Sequence, residues 1–198
     1  MKSFLTIGAA LCSVASAWPL LPWIEQAPPA AGTQFYQLQA KSASTVHNNQ
    51  WVTLPAGSGN YGLAAAQTAA TRFFVQKYNA TNTWAFLNAD DTRQVALRGP
   101  NGTLLYMVDV TNPRSDTIPG GQLMEWATFT MDNNVLGVKD GSTLTNRTFV
   151  AVQSSLALYD GVSNPEQGVT PLTLNLVRAT STSTSTSRLR RAIQMVTG

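Results

Sequence analysis

TFTMDNNVLGVKDG, residues 128–141, and TFVAVQSSLALYDG, residues 148–161, are one phrase written twice at an offset of twenty residues. Each copy has a Phe (Phe129, Phe149), a Leu seven residues on (Leu136, Leu156), and an Asp-Gly pair four and five residues after that (Asp140-Gly141, Asp160-Gly161). A strand of about five residues, a tight turn and a second strand fill such a unit. Asp132-Asn133-Asn134 and Gln153-Ser154-Ser155 stand where the turns belong, and Asp-Gly closes each unit because glycine accepts a positive φ. Side chains two apart on a strand share a face, so Phe129 points with Met131, Phe149 with Ala151, Leu136 with Val138 and Leu156 with Leu158. The phrase predicts consecutive β-hairpins with Phe129, Phe149, Leu136 and Leu156 as core anchors, the Phe side of one strand folded over the Leu side of the next.

Strand signals recur outward from this stretch at roughly the 8–12-residue spacing of sandwiches and barrels. Strands are expected at 35–40, 45–52, 72–78, 83–88, 93–98, 104–110, 123–131, 135–139, 148–153, 156–159 and 172–177. Gly99-Pro100-Asn101-Gly102 reads as a hairpin turn, since Asn-Gly suits the positive φ angles of a two-residue loop. Residues 111–121 (TNPRSDTIPGG) read as a loop. The Ala-rich run 62–71 (GLAAAQTAAT) reads as a helix or a surface loop. The fold class is all-β, a single domain of repeated hairpins over 34–178. A β-trefoil is preferred, because the length divides into three lobes of about fifty residues; a β-sandwich is the alternative.

The flanks have a different composition. Residues 1–17 carry Lys2, an apolar run over 4–14 and a small-residue site ending at Ala17, the order of a secretory signal peptide cleaved after Ala17. The apolar run is shorter than the roughly 20 residues of a membrane span, and no later stretch is apolar for long enough. Residues 18–33 hold Pro19, Pro22, Pro28 and Pro29 and read as an extended arm. Its Trp18 and Trp23 either dock on the domain or belong to a loosely held pro-segment. Residues 179–198 are a Ser/Thr-rich tail expected to be disordered, with Arg190 and Arg191 as a candidate processing site. The single cysteine, Cys12, lies in the signal. The mature chain therefore has no disulfide, thiol nucleophile or cysteine metal site.

The formal charge of +3 comes from the signal and the tail; without Lys2, Arg188, Arg190 and Arg191, nine Lys/Arg face ten Asp/Glu, a net of −1. No basic stripe remains, which argues against nucleic acid as a partner. Gly57-Ser58-Gly59-Asn60-Tyr61-Gly62 matches a dinucleotide fingerprint, but no acidic residue follows about 20 positions on and no βαβ alternation surrounds it. Asp132-Asn133-Asn134 starts like a calcium loop and fails at Leu136, so a hairpin turn is the better reading. His47 is the sole histidine and no nucleophile elbow accompanies it. The carboxylates available for hydrolysis are Asp90, Asp91, Asp109, Glu125, Asp132, Asp140 and Asp160, most of them at turn positions that suit Asp for backbone reasons. No catalytic, cofactor or metal residue is assigned. Trp51, Tyr61, Trp84, Tyr106, Trp126 and Tyr159 are candidate sugar platforms, though core packing is the commoner fate of strand aromatics. Asn79-Ala80-Thr81, Asn101-Gly102-Thr103 and Asn146-Arg147-Thr148 are N-glycosylation sequons, which fits a secreted chain.

Three segments give the layout a likeness: Phe35-Tyr36-Gln37-Leu38-Gln39-Ala40, Arg72-Phe73-Phe74-Val75-Gln76, and the run from Trp126 to Leu136. With the closing strand at 172–177, they resemble the small secreted fungal cell-wall proteins of the phialide-associated (PhiA-like) type, over most of 35–178. Members of that group carry cysteines near the end of the domain; this chain has none there, so no disulfide carries over. The resemblance implies an extracellular or cell-wall protein with no enzymatic residue to transfer. The expected function is thus a secreted, non-catalytic extracellular or cell-wall-associated protein, either purely structural or with lectin-like contacts to cell-wall polysaccharide or another glycan. The alternative is a secreted hydrolase acting on wall polysaccharide.

Overall fold

The computed structural model describes residues 29–90, 93–100, 102–111, 118–144, 146–163 and 168–179. The signal, residues 18–28 of the arm, Asp91, Asn101, residues 112–117 of the expected loop and residues 180–198 of the tail, with Arg190 and Arg191, lie outside the described residues; Ala179, expected to begin the tail, ends a strand. Thirteen strands form one antiparallel sheet: β1 (Phe35–Lys41), β2 (Trp51–Thr53), β3 (Gly62–Ala64), β4 (Phe73–Tyr78), β5 (Thr83–Asn88), β6 (Gln94–Gly99), β7 (Leu104–Val110), β8 (Leu123–Trp126), β9 (Phe129–Asp132), β10 (Val135–Val138), β11 (Thr148–Val152), β12 (Ser155–Tyr159) and β13 (Thr170–Ala179). Among the described residues the helical content is one 3-10 turn, Gln67–Ala69, and no helix is long and apolar enough to cross a membrane.

Six strands close a circuit. β1 pairs with β4, β4 with β5, β5 with β9, β9 with β10, β10 with β13, and β13 returns to β1 over seven residue pairs, Phe35–Ala179 to Lys41–Thr173. Between successive circuit strands the chain inserts three hairpins, β2–β3, β6–β7 and β11–β12. Their inner strands meet: Tyr61 N–H donates to Met107 O at 2.9 Å, Leu156 N–H donates to Tyr61 O at 2.9 Å, and Ala157 pairs with Tyr106. Period-two burial follows from one-sided packing. In β13, Leu172, Leu174 and Leu176 are buried while Pro171 and Thr173 face out. A run of rings, Tyr61 to Phe73 to Phe86 to Phe129, crosses the core with centroid separations of 5.6, 6.1 and 5.4 Å, within the range of favourable tilted and edge-to-face contacts.

The twin phrase folds as expected in its core residues. Phe129, Leu136, Phe149 and Leu156 are all buried in one cluster. The cross-strand partners are shifted by one pair: Phe129 faces Val138 and Leu136 faces Met131, while Phe149 faces Leu158 and Leu156 faces Ala151. The β9–β10 turn has positive φ at both Asn133 (53°) and Asn134 (61°), the type I′ geometry that matches strand twist. Gly141 (83°) and Gly161 (77°) supply the positive φ after each Asp.

Four local expectations are corrected. The expected strand 45–52 begins only at Trp51; before it Asn48 N–H donates to Ser44 O (3.0 Å) in a turn. The Ala-rich run 62–71 is neither helix nor plain loop, because Leu63 pairs with Val52 and draws Gly62–Ala64 into the sheet. The expected strand 123–131 is two strands, broken where Ala127 turns to φ 54°. Gly99, expected to open the turn before β7, belongs to β6; Asn101, at the centre of that turn, lies outside the described residues.

Candidate functional site

The three hairpin-bearing units differ in one pairing. β1 pairs with β2 through Gln39 and Trp51, and β5 pairs with β6 through Leu87 and Gln94. Among the described residues no such pair joins β10 to β11. β13 touches β10 at one pair, Val135 with Asn175, then departs to pair with β11 at residues 170–172. A notch opens where the ladder stops, with a volume of about 140 Å³. Leu136, Phe149 and Leu172 are part of its apolar lining, and Arg147, Thr148 and Thr173 contribute polar side chains.

Arg147 is fixed from behind. Its guanidinium makes a two-pronged ion pair with Glu125 of β8, Nη2 to Oε1 at 2.9 Å and Nη1 to Oε2 at 3.1 Å, and Nη1 also binds Asp140 Oδ2. The Arg147 side chain is only 7% exposed. Paired geometry of this kind suits a planar guanidinium and makes its burial tolerable. The repeated Asp-Gly turns aim the acids. Asp140 Oδ1 accepts from Ser142 N–H at 2.9 Å, which leaves the other oxygen for Arg147. Asp160 Oδ1 accepts from the amides of Val162 and Ser163, both at 3.0 Å, and Oδ2 accepts from the Ser163 hydroxyl at 2.5 Å.

Burial works against ionisation at both acids. At Asp140 the Ser142 amide and hydroxyl and the Arg147 charge together outweigh it, and the carboxyl is held below its ordinary value. At Asp160 the Ser163 hydroxyl, the Val162 and Ser163 amides and the Arg147 charge do the same. Arg147 Nε is buried and has no hydrogen-bond partner.

The remaining candidates are scattered. Asp109 is buried, bonded by the Tyr61 hydroxyl at 2.8 Å and paired with Arg93 at 3.0 Å. Asp132 and Asp90 are exposed at strand ends. His47 sits in the turn before β2. No cluster of three or more His, Cys, Asp or Glu able to hold a metal occurs among the described residues. Gly57 to Gly62 leads into a short strand rather than a helix, so the fingerprint has no helix N-terminus to offer a phosphate. Trp51 and Tyr61 are buried; Trp84, Tyr106, Trp126 and Tyr159 are half-buried against the core clusters. Tyr78, not singled out from the sequence, is 52% exposed beside Asn79. Asn79 and Asn146 are exposed.

In the sequence Arg147 stands out only as the middle of a sequon. Glu125 lies 22 residues away and Asp140 seven, on different elements, so no local spacing announces the cluster. No family profile, curated protein or solved structure matches this chain.

Proposed function

We propose that the chain is a secreted, non-catalytic, wall-associated glycoprotein of β-trefoil type whose contact chemistry is carbohydrate. The trefoil reading is supported by the six-strand circuit, the three inserted hairpins and the meeting of β3, β7 and β12. Secretion is supported by the order of charge, apolar run and small residues in 1–17, and glycosylation by the exposure of Asn79 and Asn146.

One observation carries the non-catalytic reading: Glu125 and Asp140 are both engaged by Arg147. A glycosidase needs one protonated carboxyl and one free carboxylate facing each other, roughly 5–10 Å apart across the scissile bond. The pairing here keeps Asp140 ionised and aims both acids at the guanidinium, and no carboxylate lines the notch. The test is to collect the protein from culture medium and incubate it with insoluble wall polysaccharides. Co-sedimentation without release of new reducing ends is expected; steady release of reducing ends that stops in Glu125→Gln makes the chain a hydrolase instead. Mass spectrometry of the same material should place the N-terminus at Trp18 and show a mass loss on enzymatic deglycosylation.

A further inference from the structure

We propose that the notch between β10, β11 and β13 is a subsite for a single uncharged pyranose ring. The inference rests on the carbohydrate reading above and assigns that reading a place.

Three observations lead there. First, the notch is made by the fold. It occupies the position where two sister units have a strand pair and this one has none, so its walls are strand backbones rather than a mobile loop. Second, its lining has the mixed character a sugar needs. Phe149, Leu172 and Val138 offer apolar surface to the C–H face of a ring, and the hydroxyls of Thr148 and Thr173 can donate to or accept from ring hydroxyls. Arg147, more than nine-tenths buried, forms part of the lining, and Glu125 and Asp140 hold its guanidinium in place, so that wall of the notch is preformed. Third, the electrostatics select against charge. The positive charge of Arg147 is already matched by Glu125 and Asp140, and Asp160 lies near enough to feel it. An anionic sugar would meet surplus negative charge, and an amine, though drawn by that charge, would give up its hydration with no carboxylate in the lining to pair with. A volume of about 140 Å³ encloses at most part of one ring and not a chain, so a polysaccharide would be held by an end or a branch residue.

The experiment is an amide NMR titration of the secreted protein with methyl glucopyranoside, methyl mannopyranoside and N-acetylglucosamine, with glucuronate and glucosamine as charged comparators. Saturable shifts centred on Gly137, Val138, Thr148 and Thr173 are expected for at least one neutral sugar, with weaker or no response to the charged pair. Thr173→Val removes one exposed hydroxyl and should raise Kd roughly 2- to 12-fold, the effect of one hydrogen bond. Val138→Phe, which fills the notch, should abolish the response while leaving Asn79-side amides unchanged. Sedimentation with insoluble polysaccharide that persists undiminished in Val138→Phe, with no sugar shifting the notch amides, overturns the notch and leaves the carbohydrate reading standing. Failure of the intact protein to bind any polysaccharide overturns both. Charged sugars binding as tightly as neutral ones overturn the selectivity.

Discussion

Phe129→Ala probes the point where the twin phrase meets the closed circuit. Phe129 is fully buried, faces Val138 across β9–β10 and Trp84 across β5–β9, and its ring stands 5.4 Å from Phe86 at 67°. Truncating a buried Phe costs about 3–5 kcal/mol through lost transfer energy and the cavity left behind. The ring contact with Phe86, worth about 0.5–1.5 kcal/mol, places this site toward the upper end, about 4–5 kcal/mol. Phe149→Ala should cost less, about 3–4 kcal/mol, because its direct cross-strand partner is the aliphatic Leu158 and it lacks a ring contact like that of Phe129 with Phe86. Domains of this kind have about 5–15 kcal/mol in total, and no disulfide limits the loss. With roughly 2–4 °C per kcal/mol at this size, the Tm of Phe129→Ala should fall by about 8–20 °C. Urea and thermal unfolding followed by circular dichroism measure both variants. A Phe86→Leu, Phe129→Leu double-mutant cycle isolates the ring contact. Unshifted transitions in Phe129→Ala and Phe149→Ala would refute the core assignment and make these rings candidates for exposed sugar platforms instead.

Arg147→Met should destabilise by about 3–5 kcal/mol in urea unfolding, because it strands Glu125 and Asp140 together; adding Glu125→Gln and Asp140→Asn should recover most of the loss. Stability should depend on acid pH through Asp140 and Asp160. Their folded pKa values are lowered from an ordinary 3.8, so the stabilisation is fully present above that value and is lost as pH falls from there through the lower folded values. A Tm series from pH 6 to about pH 2 should show this fall, and Asp140→Asn should flatten it. Gly161→Ala should be far more damaging than Gly141→Ala: both have positive φ, but a Cβ at Gly161 would lie 2.3 Å from Asn146 O whereas at Gly141 it meets nothing within 4 Å. Comparing their melting temperatures tests whether the second Asp-Gly turn packs against the sequon, and equal shifts would show that only the φ matters.

Much of the strand content is legible in the chain because alternation is local. Thr83–Asn88 and Leu104–Val110 fall where strands are expected, and the Phe and Leu of each twin phrase are buried as expected. Structure departs from local preference wherever a distant partner outweighs it. Gly62–Ala64 looks like a helix start by its alanines, yet pairs with Trp51–Thr53 and packs where Tyr61 meets Met107. The strand break at Ala127 has no glycine to mark it; its carbonyl accepts from the buried Thr83 hydroxyl at 2.5 Å, a contact 44 residues away. The sequence alone determined an all-β chain with twin hairpins, a core without cysteine in 18–198 and no basic stripe, since these follow from composition and short-range periodicity. Only the tertiary structure decided which strands close the circuit, that Glu125 and Asp140 converge on Arg147, and that a notch opens beside β10. Each of these depends on pairings between segments far apart in the chain, and a pairing omitted between β10 and β11 leaves no mark in the residues of either strand.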